Sequence, residues 1–292
     1  MIVIAHRGAR AFAPENTLEA FAKAGETRAD AVELDVQLSA DGVPVVCHDD
    51  TLLRCSDAAE RFPGRAPWAT SSFTLAELGQ LDAGSWFEAE LGLPPERRQA
   101  FLQTLEEAEA AQWISAGDRA AFASGRVRIP TLAESLACCD DLGLRVHVEL
   151  KSIPRLWDDL ADRALAAIDR LGMRGRVVVS SFDHQQLARM RALAPDVELA
   201  VLTSDRLYRP AEYLARLGAS TYNAGCLAPF DTLGFGSASG ALDTRTIAEL
   251  RAAGFGVAAW TENDPGRMRA LVDAGVSAIF TDYPNRLRGI LG

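Results

Sequence analysis

The chain has few cysteines and no long hydrophobic run. Its five cysteines are odd in number and form no Cys-x-x-Cys pair; they are Cys47, Cys55, Cys138, Cys139 and Cys226. A bridge between the adjacent Cys138 and Cys139 would be strained. No apolar run approaches the roughly 18 residues needed to span a bilayer, and the first residues do not resemble a signal peptide. These absences predict a reduced, cytoplasmic protein that is not stably inserted into a membrane.

Positive charge is also scarce. Thirty Lys and Arg residues stand against 40 Asp and Glu residues, which gives a formal net charge of −10. Such a surface repels nucleic acid and anionic membranes, so a duplex-binding function is not indicated. An acidic protein can still bind phosphate, provided that positive charge is concentrated locally. Hydrophobic residues make up 48% of the chain, which is ample for a large core and argues against disorder.

Eight short β-rich runs alternate with helical patterns. The runs are Ile2–His6, Ala31–Asp35, Arg145–Leu150, Val177–Ser181, Glu198–Leu202, Ser220–Asn223, Val257–Trp260 and Ala278–Asp282. Most are continuously apolar, as expected for parallel strands covered on both faces. The helical patterns are Thr17–Thr27, Leu156–Leu171, His184–Ala194, Thr244–Ala253 and Pro265–Ala274. This order predicts an α/β fold, a (β/α)₈ TIM barrel over residues 1–292; a doubly wound open sheet is the alternative.

One segment departs from the alternation. Asp41-Gly42 lies between two strand-like runs and predicts a hairpin, which would return His48 to about the level of Leu34. Residues 50–130 then contain Pro63, Pro67, Pro94 and Pro95, the tryptophan-bearing stretches Pro67-Trp68 and Gly84-Ser85-Trp86-Phe87, and a charged helical piece around 96–123, and they fit no βα unit. We interpret 50–130 as an insertion after the second strand, on the catalytic face, either as a small subdomain or as a lid.

Ionisable residues cluster where the predicted strands end, which is where barrel enzymes place their chemistry. Glu33 and Asp35 are two apart on one strand and therefore share a face, and Glu149 ends the next barrel strand. Three converging carboxylates repel one another unless a cation binds, and hard oxygen ligands suit Mg²⁺ or Ca²⁺. The alternative is that these acids only form ion pairs with Arg7 and Lys151.

Two histidines can reach the same strand ends, because His6 ends the first strand and His48 ends the hairpin. Two imidazoles suit a general base and a general acid on either side of a phosphorus atom. Arg7 offers a planar fork for phosphate oxygens, and Lys151 offers a compact positive charge. Trp260 at a strand end can line the pocket against an apolar or glycerol part of a substrate, although a plain core-capping role fits equally well.

A set of short motifs in a fixed order carries a family resemblance. They are His6-Arg7-Gly8, Pro14-Glu15-Asn16-Thr17, Glu33-Leu34-Asp35, Asp41-Gly42-x-Pro44-Val45-Val46-x-His48-Asp49, Glu149-x-Lys151, Trp260-Thr261-x-Asn263 and Thr281-Asp282-x-Pro284. Each motif is weak alone, but together they span residues 2–284, and the chain resembles the glycerophosphodiester phosphodiesterase family. Two departures are His147, where asparagine is usual, and a longer stretch between Phe87 and Ile129.

The resemblance implies a metal-dependent phosphodiesterase barrel that hydrolyses glycerophosphodiesters, such as glycerophosphocholine, to glycerol 3-phosphate and an alcohol. It implies one divalent cation, Mg²⁺ or Ca²⁺, at Glu33, Asp35 and Glu149. It also implies acid–base roles for His6 and His48, with Arg7 and Lys151 binding phosphate. We assign the base to His6 and the acid to His48; the reverse assignment and the nucleophile, water or the glycerol 2-hydroxyl, stay open.

Three other functions compete with this one. A lysophospholipase D-type enzyme would need an apolar channel, for which Trp68, Phe73, Trp86 and Phe87 are candidates. A catalytically silent phosphodiester-binding barrel would need a broken site, yet both histidines and all three acids are present. A barrel lyase or isomerase could use the same carboxylates but would leave the cationic residues without a phosphate to bind. The sequence does not indicate an oligomeric state.

Overall fold

The computed structural model describes residues 1–152, 157–204, 206–225 and 243–292, and within these ranges nine strands form one sheet. They are β1 (Ile2–Ala5), β2 (Ala31–Leu38), β3 (Pro44–Val46), β4 (Arg145–Leu150), β5 (Val177–Ser181), β6 (Glu198–Thr203), β7 (Thr221–Ala224), β8 (Gly256–Ala259) and β9 (Ala278–Thr281). All strands except β3 are parallel, and β1 pairs with both β2 and β9, which closes a barrel. The predicted (β/α)₈ fold is confirmed.

Thirteen α-helices lie in the described ranges. They are α1 (Leu18–Glu26), α2 (Ala58–Arg61), α3 (Leu75–Leu78), α4 (Ser85–Leu91), α5 (Glu107–Trp113), α6 (Ala116–Phe122), α7 (Leu132–Asp141), α8 (Leu160–Arg170), α9 (His184–Leu193), α10 (Pro210–Leu217), α11 (Thr244–Ala252), α12 (Pro265–Asp273) and α13 (Pro284–Leu291). Helices α1 and α7–α13 follow the barrel strands. Asp243 and Asp264 cap α11 and α12 by accepting hydrogen bonds from the first turns of these helices. Leu156, the predicted start of α8, lies outside the described residues.

Side chains alternate along each strand between two apolar clusters. Residues such as Val32 and Leu34 of β2 belong to a continuous core between the sheet and the helices. The positions between them face the inside of the barrel, where Ile4, Ala258 and Phe280 form a second, smaller cluster. Because strands have a period of two, every inward position carries its side chain toward the barrel axis. The inward side chains at the carboxyl ends of the strands are polar or aromatic, and they form the site described below.

The predicted hairpin is present and sets the position of His48. Val36 pairs with Val46, and the Cys47 amide donates to the Asp35 carbonyl at 2.9 Å. The hairpin therefore returns the chain along β2, and His48 directly follows the contact between Cys47 and Asp35. Gly42 has a φ of +76°, the left-handed conformation that favours glycine in such a turn.

The segment between β3 and α7 builds a core of its own. Phe87 and Phe122 meet edge to face with ring centroids 5.6 Å apart, and Phe73 packs on Phe62 at 5.4 Å. Phe73 and Phe87 are fully buried, and the two tryptophan side chains donate to backbone carbonyls within the segment. The four aromatic residues suggested for an apolar channel therefore pack into or against this core and do not line a channel; they are Trp68, Phe73, Trp86 and Phe87. Around residues 96–123, two 3₁₀ turns precede α5 and α6 in place of one helical piece.

Buried ion pairs and hydrogen bonds fasten this segment to the barrel helices. Glu109 of α5 accepts from Arg286 of α13 at 2.5 and 2.9 Å, and the Tyr283 hydroxyl donates to the Phe101 carbonyl at 2.6 Å. Lys23 of α1 donates to Asp118 of α6 at 2.8 Å. These contacts hold the segment against α1, the first helix of the barrel, and against α13, the last one.

Two findings bear on the expectations drawn from composition. Cys47, Cys55, Cys138 and Cys139 are free thiols, and Cys226 lies outside the described residues. Among the helices that the structure describes, none combines the length and the apolar character needed to cross a bilayer.

We expect Glu109→Gln to lower the free energy of unfolding by roughly 1–3 kcal/mol at neutral pH, because it removes a charge-assisted contact. Burial alone would raise the pKa of Glu109, but Arg286 and Asn285 outweigh it and lower that pKa. The stabilisation is therefore present above the unfolded-state pKa of about 4.3 and is lost as pH falls through the lower folded-state pKa. Denaturant unfolding at pH 7 and below pH 4 checks this; an equal difference at both values would contradict it.

Candidate active site

Three carboxylates meet where β2 and β4 end. Glu33 and Asp35 lie on β2, and Asp35 pairs with Glu149 of β4 in the parallel register. One oxygen from each lies within 4.8 Å of the others. Glu33 and Asp35 are buried, and only a small part of the Glu149 side chain is exposed. The convergence predicted from their spacing is therefore present.

The electrostatics of this carboxylate cluster favour a cation. Burial and the repulsion of Asp35 and Glu149 hold the pKa of Glu33 well above its usual range, and burial also raises the pKa of Glu149 despite Lys151. Asn16 donates to one oxygen of Asp35 at 2.9 Å, while the buried Oδ1 has no hydrogen-bond partner among the described residues. An unpaired buried carboxylate oxygen beside two further carboxylates is a donor set that fits a hard divalent cation.

The two predicted cations lie against this cluster. The Lys151 ammonium is 3.3 Å from Glu149 and 4.0 Å from Asp35. The Arg7 guanidinium donates to Glu15 at 2.8 Å and lies 3.5 Å from Asp35, while the Arg7 backbone amide donates to Glu33 at 2.9 Å. The ion pairs of the alternative interpretation are thus partly formed. The approach to Asp35 is made by Arg7 Nε, a buried nitrogen whose N–H makes no hydrogen bond within the described chain.

His6 is oriented by a carboxylate from the opposite end of the chain. Its Nδ1 lies 2.8 Å from Asp282, which follows β9, and its Nε2 faces Glu33 at 4.0 Å. Asp282 is held in turn by Arg10 at 2.5 and 3.1 Å and by Asn263 at 2.6 Å. Burial, together with Arg10 and Arg7, lowers the pKa of His6 to about 4. With Nδ1 engaged, Nε2 is the nitrogen that can exchange a proton in the cavity.

His48 has a matching arrangement on the other side of the cluster. Its Nδ1 lies 2.6 Å from Asp49, which accepts from Arg54 at 2.7 and 3.0 Å. The loop that carries His48 is fixed by Gln37 of β2, whose side-chain amide donates to the carbonyls of residues 47, 48 and 49 at 2.8–3.2 Å. The His48 side chain is 30% exposed, against 13% for His6, so His48 lies nearer the mouth.

A cavity of about 690 Å³, including the solvent at its mouth, lies between the two histidines. Its lining residues are His6, Arg7, Arg10, Glu33, His48, Glu149, Lys151, Ser180, Phe182, Leu202, Trp260, Thr261 and Phe280. One wall is charged and the other is apolar. On the apolar wall, Trp260 meets Phe182 edge to face with ring centroids 5.4 Å apart and donates from Nε1 to the Asn223 carbonyl at 3.0 Å. The cavity can therefore hold a charged group beside a less polar one.

The eight residues predicted for the site all lie at this mouth: seven line the cavity, and Asp35 belongs to the carboxylate cluster beside it. Sequence reasoning missed the residues that support them, namely Arg10, Glu15, Asp49, Arg54 and Asp282. His147 shares the inward face of β4 but has no hydrogen bond from Nδ1 within the described chain and packs against Phe280. His184 bonds Tyr213 and the Leu202 carbonyl.

Comparison with known proteins shows what the chain is similar to. The model of the glycerophosphoryl diester phosphodiesterase family matches residues 6–286. A glycerophosphodiester phosphodiesterase of Caldanaerobacter subterraneus is 30% identical over 98% of this chain and 96% of its own length. A phosphodiesterase of Oleispira antarctica, solved in complex with the product sn-glycerol-3-phosphate, superposes with a TM-score of 0.74 at 27% identity and covers 100% of this chain and 96% of its own. The glycerophosphodiester phosphodiesterase of Agrobacterium tumefaciens, at 24% identity and a TM-score of 0.67, shares the fold.

We expect Gly8→Ala to impair both stability and turnover. Gly8 has a φ of +82°, and a Cβ there would lie 2.6–2.8 Å from Ala20 in α1, so the turn that carries His6 and Arg7 would shift. A displacement near 1 Å can cost about 10²-fold in rate. The matched control is Gly254→Ala, since Gly254 has a φ of +87° but open space around it. Equal activity of the two variants in a turnover assay, after each has been shown to fold, would contradict this reading.

Proposed function

Since this chain belongs to the glycerophosphoryl diester phosphodiesterase family and is a hydrolase, we propose that it cleaves glycerophosphodiesters to glycerol 3-phosphate and an alcohol with a divalent cation and two histidines. One observation carries the proposal: two imidazoles, each backed by a carboxylate, face one cavity that also contains three converging carboxylates. The product bound to the Oleispira relative supports the glycerol 3-phosphate half of the substrate.

Glu33, Asp35 and Glu149 would hold the cation, either Mg²⁺ or Ca²⁺, because their donor oxygens are close together and short of positive charge. When bound, such a cation withdraws electron density from a phosphoryl oxygen and neutralises the charge that develops there. Arg7 and Lys151, which both line the cavity, bind the phosphate.

The reaction breaks the phosphorus–oxygen bond to the alcohol and forms one to the nucleophile. Nε2 of His6 accepts the proton of the nucleophile, and Asp282 stabilises the resulting imidazolium. His48 donates a proton to the departing alcohol oxygen, which leaves a neutral alcohol. The greater exposure of His48 supports this assignment, because the alcohol must leave through the mouth. The nucleophile is either water or the glycerol 2-hydroxyl, and the latter gives a cyclic phosphate first.

The apolar wall around Trp260 and Phe182 supports a bound glycerol or alcohol group opposite the charged wall. We propose that residues 1–292 act as a single domain in which residues 50–130 flank the site, since Arg54 of that segment contacts Asp49 and Glu15. The free thiols at four cysteines agree with a cytoplasmic location. A lysophospholipase D-type preference has less support, because the aromatic residues that would line its channel lie in the core of the segment.

Release of glycerol 3-phosphate from glycerophosphocholine, glycerophosphoethanolamine and glycerophosphoglycerol tests reaction class and metal together. We expect EDTA to abolish turnover and either Mg²⁺ or Ca²⁺ to restore it, because the carboxylate cluster is then neutralised again. Calorimetry of the same metals should show binding to the wild type and weaker binding to Glu149→Gln. Full turnover in EDTA would refute the metal requirement, and no turnover on any ester with metal supplied would refute the substrate class.

We expect His6→Ala and His48→Ala each to lower kcat at least about 10²-fold if the two imidazoles act as base and acid. The control is His184→Gln, whose imidazole bonds Tyr213 and the Leu202 carbonyl and is not among the residues that line the cavity; it should keep kcat within a few-fold of the wild type. A histidine whose removal leaves turnover near normal, in a protein that folds, has no acid–base role.

A further inference from the structure

The two histidines are connected through the protein by a continuous chain of side-chain contacts. On one side His6 contacts Asp282, which accepts from Arg10. On the other side His48 contacts Asp49, which accepts from Arg54. Each arm therefore has the same order of groups: imidazole, carboxylate, guanidinium.

Both arms end on Glu15. Its two oxygens accept from Arg54 at 2.6 and 2.9 Å, and one of them accepts from Arg10 at 3.3 Å. A third guanidinium, that of Arg7, donates to it at 2.8 Å. The Glu15 side chain is only 2% exposed. Seven residues thus run from one imidazole to the other, and Glu15 is the only carboxylate among the described residues that contacts both arginines.

The backbone around Glu15 is fixed independently of these contacts. The Asn16 amide donates to the Arg7 carbonyl at 2.9 Å, and Asn16 adopts a φ of +56°. The Thr17 hydroxyl donates to the Pro14 carbonyl at 2.6 Å and caps α1. The carboxylate is therefore held in place by the turn before α1, and the arginines are positioned against it.

The charge of Glu15 matters because three guanidinium groups surround it. Burial alone would raise the pKa of Glu15, but Arg7, Arg54 and Arg10 outweigh burial and hold that pKa well below its usual range. A glutamine at this position would direct its amide N–H₂ group, a hydrogen-bond donor, toward the guanidinium N–H groups, which are also donors. It would also leave the buried guanidinium charges without their anionic partner, which is strongly unfavourable. Arg10 and Arg54 would then be free to move relative to Asp282 and Asp49.

We propose that Glu15 is a positioning residue that orients both histidines at once, through Arg10 and Asp282 to His6 and through Arg54 and Asp49 to His48. The inference rests on the proposed two-histidine reaction. It assigns to Glu15 a function in the reaction although Glu15 touches neither substrate nor metal site. The loss of Glu15 should therefore impair the base and the acid together.

Two substrates that differ only in the leaving group separate these effects. Glycerophosphocholine releases an alkoxide that needs a proton, whereas the 4-nitrophenyl ester of glycerol 3-phosphate releases a phenolate that does not. Arg54→Lys, which loosens the His48 arm, should slow the choline ester by about 10-fold or more and the nitrophenyl ester by much less. Arg10→Lys, which loosens the His6 arm, should slow both esters by similar factors. A purely structural defect would not distinguish the esters.

Glu15→Gln should slow the choline ester by about 10²-fold and the nitrophenyl ester by a smaller but clear factor, because both arms loosen. Adding Arg54→Lys to Glu15→Gln should not increase the difference in rate between the two esters further. Glu15 and Arg54 belong to the same series of contacting side chains, and such residues act as a unit. The control is Glu109→Gln, which also breaks a buried glutamate–arginine pair but lies outside both arms; it should leave both rates near the wild-type values.

The outcomes separate the two proposals. Equal slowing of both esters by Glu15→Gln, or additive effects in the double variant, would overturn the positioning function while wild-type turnover still upheld the proposed reaction. A wild-type enzyme inactive on both esters with metal present would overturn the reaction and this inference with it. If Glu15→Gln does not fold, as judged by circular dichroism and melting, the arginine variants decide: an Arg54→Lys effect that is the same on both esters overturns the inference.

Discussion

Three buried carboxylates of like charge at adjacent strand ends are the constraint on which the rest of the site depends. Carboxylates this close cannot all stay ionised without positive charge nearby. Arg7 and Lys151 supply part of that charge from the ends of β1 and β4, and a divalent cation would supply the remainder. A protein with a net charge of −10 can therefore still bind a phosphodiester, because positive charges are concentrated beside the carboxylates at the mouth of the cavity.

The barrel fold brings the three carboxylates and the two histidines to one end of the sheet. Alternation along β2 places Glu33 and Asp35 on one inward face, and the parallel register with β4 brings Glu149 beside them. The hairpin of β2 and β3 then returns the chain so that His48 faces His6 across the cavity. Each histidine has its own carboxylate and arginine, so the imidazoles are held by contacts outside the carboxylate cluster. Catalytic groups positioned by rigid strands in this way need little reorganisation when substrate binds.

The strands and the eight site residues could be predicted because their signals are local. Apolar runs mark buried parallel strands, Asp41-Gly42 marks a turn, and polar residues such as His6 and Glu149 stand where those runs end. The supporting residues had no such signal. Glu15, Asp49 and Asp282 lie in motifs of the family resemblance, but no spacing rule pairs Asp282 with His6, 276 residues away, or Glu15 with Arg54. The stretch around residues 96–123 is not the one helical piece predicted, because 3₁₀ turns occupy its first part and the cap at Ser115 separates α5 from α6.

The pairing of His6 with Asp282 also has a consequence for how the enzyme folds. One partner follows the first strand and the other follows the last, so the contact forms only when β1 and β9 meet and the barrel closes. Long-range closure of this kind is slow relative to local helix formation. An unclosed or C-terminally trimmed chain would retain most of its helices and carboxylates yet hold an imidazole without its carboxylate. With His6 in its proposed role, activity therefore depends on closure of the barrel by β1 and β9.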